Sequence, residues 1–395
     1  MKRRAFIQQS SLGVIGSMFL PGFLQGMDNY DLVKGFRRLI VIQLSGGNDG
    51  LNTVVPIEDD NYYRLRPSIA IKKEESLKIN DLLALNPALV GLHELYKEGY
   101  VSVINNVGYP NPDRSHFRSM DIWHTAVDSH RYSKTGWLGR YLDSYCDSGH
   151  AALEIDKSLS LSLRGELRTG LAVTNSNTLR RTMKNPYFND LVTASSTADL
   201  DEDNQGYLYK TLIQTSQSAD YLAETHTVKE SPGEFPVTPL GKKLSTVSQF
   251  IRSGFDTQVY YVSHNGFDSH VGQRNKQDRL LGQYGSALQS LVQSLEKSGD
   301  MENTLIMTFS EFGRRVKENG SRGTDHGKAN CLFLIGKDMN KAGVYNTGPN
   351  LSALDDGDLT YSIDFRNVYW DIISEWFGKD PSQLISQRFD SLGII

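Results

Sequence analysis

The sequence predicts an α/β fold, a three-layer, doubly wound and mostly parallel sheet with an insertion in its middle. Three observations lead there. Five short apolar runs recur along the 395 residues, amphipathic helical patterns separate several of them, and acidic and imidazole side chains gather beside the ends of those runs. A short continuous apolar run is what a strand covered on both faces requires, and strand–helix–strand spacing favours parallel pairing.

The elements follow in order. Residues 39–44 (LIVIQL) are a continuous apolar strand running into Ser45-Gly46-Gly47-Asn48-Asp49-Gly50. Residues 101–107 (VSVINNV) form a second strand, stopped at Gly108-Tyr109-Pro110. Residues 258–263, 304–309 and 331–335 form three more. Between the third and fourth, Leu280, Leu281, Tyr284, Leu288, Leu291, Val292 and Leu295 keep the spacing of one buried helical face. Leu240, Leu244, Val247 and Ile251 do the same just before the third strand. The stretch 151–239 is less regular, with a strand expected near 159–163 and a helix near 207–224. It reads as an insertion or cap on a single domain spanning 37–395.

Composition narrows the partners. Hydrophobic residues at 38% and charged residues at 22% describe a globular protein, and a formal net charge of −4 argues against nucleic acid or an anionic membrane as the main partner. The start differs. Lys2-Arg3-Arg4 precedes a moderately apolar stretch over 11–24, which reads as a twin-arginine-type signal over 1–26 and hence a periplasmic or extracellular location. About 14 apolar residues are short of a membrane span, and a retained N-terminal anchor stays open. No transmembrane partner is expected. Cys146 and Cys331 are the only cysteines, which excludes a disulfide framework.

Open parallel sheets bind ligands beyond the carboxyl ends of their strands. Asn48 and Asp49 follow the first strand, Asp113-Arg114-Ser115-His116 the second, and His264, Asp268 and His270 the third. Glu311 and Arg314 follow the fourth, while Asp325 and His326 stand just before the fifth. Asp49, Asp268, His270, Glu311, Asp325 and His326 make a set of carboxylates and imidazoles suited to a divalent metal, zinc or manganese first, as two ions. Two ions can hold a nucleophile and an ester oxygen for in-line displacement. Each element also has a plainer reading. Asp49 serves equally as a turn residue or helix cap, and Glu311 with Arg314 as an ion pair. Asp325-His326 between glycines is the sharpest of the set. His93, His124, His130, His150 and His226 read as ordinary surface or core histidines.

Taken together, the twin-arginine start, Ser45 to Asn52, Arg114-Ser115-His116-Phe117, Gly266 to His270, Ser310 to Arg314 and Gly323 to Gly327 resemble the domain-of-unknown-function family 1501. The likeness runs from about residue 37 to the C-terminus. That family consists of exported bacterial proteins grouped with the alkaline phosphatase and sulfatase-like superfamily, so the resemblance implies an alkaline-phosphatase-like sandwich around a binuclear metal site. It implies that Asp49 is the metal-binding Asp after the first strand. Asp268 and His270 match the Asp-and-His pair, although two apart rather than four. Glu311 stands where an Asp-His pair is usual, which leaves the set one imidazole short, and His326 matches the late His, with Asp325 as an added ligand. Ser115 is the first choice of nucleophile, a hydroxide on the metal being the other, and Arg114 and Arg314 would hold the anion. A sulfatase-type frame puts Pro110 at the nucleophile position instead. The implied activity is hydrolysis of phosphate or sulfate esters, on a small anionic ester or an extracellular polymer. A secreted binding or structural protein that kept the fold without the chemistry is the alternative.

Overall fold

Side-chain alternation along β1 (Arg38–Ser45) feeds two cores at once. Leu39 and Val41 enter one, and Ile40, Ile42 and Leu44 the other. In the computed structural model, which describes residues 36–174 and 234–395, this strand lies inside a nine-stranded sheet. Its companions are β2 (Val101–Gly108), β3 (Ala152–Glu154), β4 (Leu171–Ala172), β5 (Val259–Asn265), β6 (Thr304–Phe309), β7 (Asn330–Ile335), β8 (Gly343–Val344) and β9 (Ile363–Asp364). The order is β8-β2-β7-β6-β1-β5-β3-β4, with β9 also paired to β2. All neighbours are parallel except β7, which runs antiparallel to both β2 and β6. Residues 37–395 form one compact unit.

Helices cover both faces, which makes three layers. One face carries α1 (Val90–Lys97), α4 (Pro239–Arg252) and α5 (Gln273–Ser298). All seven apolar positions expected on the long helix are buried. Thr238 starts α4, its Oγ1 accepting from Gly241 N at 3.0 Å, with Pro239 in the first turn where its missing N–H leaves nothing unpaired. The other face carries α2 (His116–Thr125), α3 (Trp137–Tyr145) and α6 (Phe365–Asp371). Aromatic stacking joins these: Trp123 lies 4.3 Å from Phe365 and Trp137 4.2 Å from Tyr369, centroid to centroid.

The sheet is mostly parallel, as the sequence predicts, with β7 its antiparallel strand. The connection from β6 to β7 contains no helix to cross the sheet, so the chain returns alongside β6 in the opposite sense. The structure corrects the sequence reading in two places, both within 151–239. The first part of 151–239 is sheet rather than cap, because β3 pairs in parallel with β5 and β4 with β3. The strand expected near 159–163 is a 3-10 turn, Leu161–Leu163. It packs against glycines at the start of α3, and a Cβ on Gly136 would lie 2.2 Å from the Leu161 carbonyl oxygen. The helix expected over 207–224 and the signal over 1–26 lie outside the described residues, as does His226. Among the described residues no helix is long and apolar enough to cross a membrane. Cys146 and Cys331 are free and buried.

Candidate metal centre

The reversal of β7 decides what meets at the sheet edge. Its first residue lies beside the last residues of β2, so the loop preceding it joins the loops that follow β1, β2, β5 and β6. Gly46 allows a close approach of two of these loops: at φ +117° it sits where a Cβ would fall 2.4 Å from Asp268 N. Arg314 then ties these loops together. Its side chain is fully buried; Nε donates to Gly47 O at 2.6 Å, Nη1 to Thr324 O at 2.9 Å, and Nη2 to Gly46 O, to Phe267 O at 3.2 Å and to Asp268 Oδ1 at 2.8 Å.

Within this frame three imidazoles surround one carboxylate. His116 opens α2, His270 follows β5 and His326 precedes β7. Each has its Nδ1 against an acceptor: Glu311 Oε1 at 3.0 Å for His116, Asp325 Oδ1 at 3.1 Å for His270 and the Arg114 carbonyl at 2.7 Å for His326. An acceptor there holds the ring proton on Nδ1 and leaves the Nε2 lone pair for something else. All three Nε2 atoms face Asp268. His270 Nε2 is 3.0 Å and His326 Nε2 3.5 Å from Oδ1, and His116 Nε2 is 3.7 Å from Oδ2. The Nε2 atoms of His270 and His326 lie 3.0 Å apart. Among the described residues, His116 Nε2 is buried without a hydrogen-bond partner. His116, Asp268 and His326 each offer a ligand atom within 4.8 Å of the others. Converging imidazole nitrogens with one carboxylate oxygen match the donors and ligand number that zinc takes, and also suit manganese or iron.

Electrostatics agree with this assignment. Burial pushes the Asp268 carboxyl up, but the hydrogen bond and charge of Arg314, helped by His270 and His116, prevail and bring it to about 2. The hydrogen bond to Glu311 raises His116 against the effect of burial, whereas burial lowers His326. The hydrogen bond from His270 lowers Asp325. The cluster therefore keeps an anion at its centre over the neutral range.

Of the residues expected from the sequence, Asp268, His270 and His326 meet with their donor atoms turned to one point. Glu311 and Asp325 sit one step further out, where they orient His116 and His270 through Nδ1. Asp49 is elsewhere, and the capping alternative describes it. Its Oδ1 accepts from Leu51 N at 3.2 Å, and its Oδ2 meets Arg66 Nη1 at 2.5 Å. Arg314 is occupied by backbone carbonyls and Asp268, so it positions loops rather than offering a free anion grip. Arg114 pairs with the buried Asp358 and reaches Asp356 at 3.5 Å. Ser115 is exposed at the start of α2, and its hydroxyl makes no hydrogen bond among the described residues. His116, whose Nε2 faces the same carboxylate, was not among the expected ligands, although it closes the Asp113-Arg114-Ser115-His116 motif. The imidazole that Glu311 lacks as a sequence neighbour reaches it from α2. A cavity of about 330 Å³ also adjoins these loops in sequence, with Asn111 and Pro112 ahead of Arg114 and Lys328 just after His326 among its walls.

No curated protein sequence matches this chain. Solved structures similar to it include the lipoteichoic acid synthase LtaP from Listeria monocytogenes, 9% identical, with 91% of this chain and 76% of that one covered at a TM-score of 0.43. The PsFucS1 sulfatase from Pseudoalteromonas sp. is 12% identical, with 78% and 64% covered at 0.34. A magnesium-bound mutant of TAB5 alkaline phosphatase is 9% identical, with 76% and 90% covered at 0.34. Likenesses this distant carry nothing about chemistry. The model of the family described as "Protein of unknown function (DUF1501)" matches residues 100–364, a span that includes His116, Asp268, His270, Glu311, Arg314, Asp325 and His326 but not Asp49. The chain belongs to the DUF1501 family.

Proposed function

We propose that this chain is an exported, metal-dependent hydrolase-like protein that acts on small anionic phosphate or sulfate esters. His116, Asp268, His270 and His326 would hold its divalent ion, zinc or manganese. The observation that carries the reading is the common orientation of three imidazoles, each fixed at Nδ1 and each turned by Nε2 toward Asp268. A bound divalent ion supplies Lewis acidity to an ester oxygen. The chain's own residues do the rest. Glu311, Asp325 and the Arg114 carbonyl hold the rings in register, and Arg314 keeps Asp268 ionised and the loops joined. Asp268 is half exposed, so a small ester can approach it from solvent. Ser115 stands at the N-terminus of a ten-residue helix, where backbone N–H groups favour an anion. The paired arginines of Arg3-Arg4 support export, to meet either free esters or an extracellular polymer that carries them.

The test is to strip the protein with a chelator, reload it with zinc or manganese, and assay bound metal and turnover of aryl phosphates and sulfates. Stoichiometric metal, with turnover abolished by His326→Ala, is expected. Failure to retain metal after reloading overturns the reading. Two observations favour a non-catalytic binding protein: the Ser115 hydroxyl makes no hydrogen bond to a base among the described residues, and both arginines are already paired. That alternative expects metal binding without ester turnover and no effect of Ser115→Ala.

A further inference from the structure

We infer that this chain holds one divalent ion rather than two, and that Arg66 is the fixed cation at Asp49 where a second ion would need a ligand. The inference rests on the metal reading above. It follows from the carboxylates outside the converging cluster. Asp49 is 1% exposed, and both its oxygens already have partners: Oδ1 accepts from Leu51 N, and Oδ2 from Arg66 Nη1 at 2.5 Å and from Gln273 Nε2. Gln273 is itself fixed, its Oε1 accepting from Thr324 Oγ1.

Arg66 cannot readily give way. Its side chain has no exposure, and its donors reach four groups. Nε donates to Val316 O at 2.8 Å, Nη1 to Asn52 Oδ1 at 2.9 Å as well as to Asp49, and Nη2 to Arg315 O at 2.9 Å. A divalent ion entering here would face a guanidinium in the same buried space, and like charges at close range in low dielectric repel strongly. The planar fork fits this task, since it satisfies a carboxylate and backbone carbonyls together.

The remaining candidates do not build a second site either. Glu311 Oε1 accepts from Gly46 N at 2.8 Å and from His116 at 3.0 Å, and Oε2 from Ser310 Oγ at 3.3 Å. Asp325 lies on the Nδ1 side of His270, away from the point that the Nε2 atoms share. Among the described residues, the ligand atoms of His116, Asp268 and His326 all lie within 4.8 Å of one another, and His270 Nε2 reaches the same carboxylate at 3.0 Å, so these donors share one centre. The binuclear arrangement implied by the family resemblance therefore does not fit these side chains.

Elemental analysis of the full-length protein, stripped, reloaded with excess zinc and desalted, tests this directly. One zinc per chain is expected. Two per chain overturn the inference while leaving the metal centre standing, and none overturns the metal reading and this inference with it. Asp49→Asn supplies the second arm, measured by zinc competition with a chromophoric chelator. One zinc per chain with wild-type affinity is expected, because Asp49 is no ligand. A weakening of about 10-fold or more, of the size that loss even of a ligand's supporting partner causes, overturns it.

Discussion

Replacing Glu311 by Gln probes the arrangement of the centre without touching a proposed ligand. The carboxylate is fully buried and serves two donors through one oxygen, His116 Nδ1 at 3.0 Å and Gly46 N at 2.8 Å. A hydrogen bond to a charged group contributes roughly 1.5–3 kcal/mol. The carboxamide keeps one acceptor oxygen but loses the charge, and its amino group cannot accept the imidazole proton. His116 should then be held less firmly and its Nε2 become a weaker donor. Outer partners of metal ligands typically contribute about 10–100-fold to affinity, equivalent to roughly 1.4–2.7 kcal/mol, which agrees with the hydrogen-bond figure. Zinc competition against a chromophoric chelator near neutral pH reads this directly. Glu311→Gln is expected to weaken zinc binding by about 10–100-fold. The control Glu94→Gln, which removes an exposed carboxylate paired with Lys97, should change nothing. An affinity for the Glu311 variant equal to wild type would refute the supporting role.

Further predictions concern stability. Burial raises the Glu154 carboxyl from 4.5 to about 7. Because the folded value is the higher one, the fold bears no ionisation cost below pH 4.5, an increasing one between 4.5 and 7, and a constant one above. Glu154→Gln should therefore stabilise the protein by on the order of 3 kcal/mol above pH 7 and do little below 4.5; urea unfolding that gives a pH-independent difference would contradict this. Arg314→Met should cost at least roughly 1–3 kcal/mol in chemical denaturation, because it takes the shared donor from the Gly46, Gly47, Phe267 and Thr324 carbonyls and unties three loops, and Arg314→Lys should not restore the loss. Zinc at about 100 times its dissociation constant should stabilise the fold by roughly 2.7 kcal/mol, reversed by chelator, and an unmoved melting temperature would count against a native-state site.

Much of this was legible from the chain alone, and the gaps have physical causes. The five apolar runs all became strands, and every predicted contact of the long helix is buried, because periodicity records which face must leave water. Periodicity carries no direction, so the reversal of β7 was hidden, and it is this reversal that brings His326 to the site. β3 and β4 are three and two residues long, too short for any pattern to show. Residue types at the strand ends marked the right neighbourhood but not the roles within it. Whether Glu311 and Asp325 face a metal or the back of an imidazole depends on which ring nitrogen they meet. Arg314 has the composition of an anion holder, yet backbone carbonyls occupy its donors. Arg66 ends the short helix Asp60–Leu65 without any periodic mark, and its pairing with Asp49 emerges only in three dimensions.

Anomalous diffraction from zinc-loaded crystals would locate the ion. The centre described above predicts a peak about 2.0–2.2 Å from the Nε2 atoms of His116, His270 and His326 and from an oxygen of Asp268. A peak at Asp49, a peak on the Nδ1 side of His270, or none at the three imidazoles would contradict it.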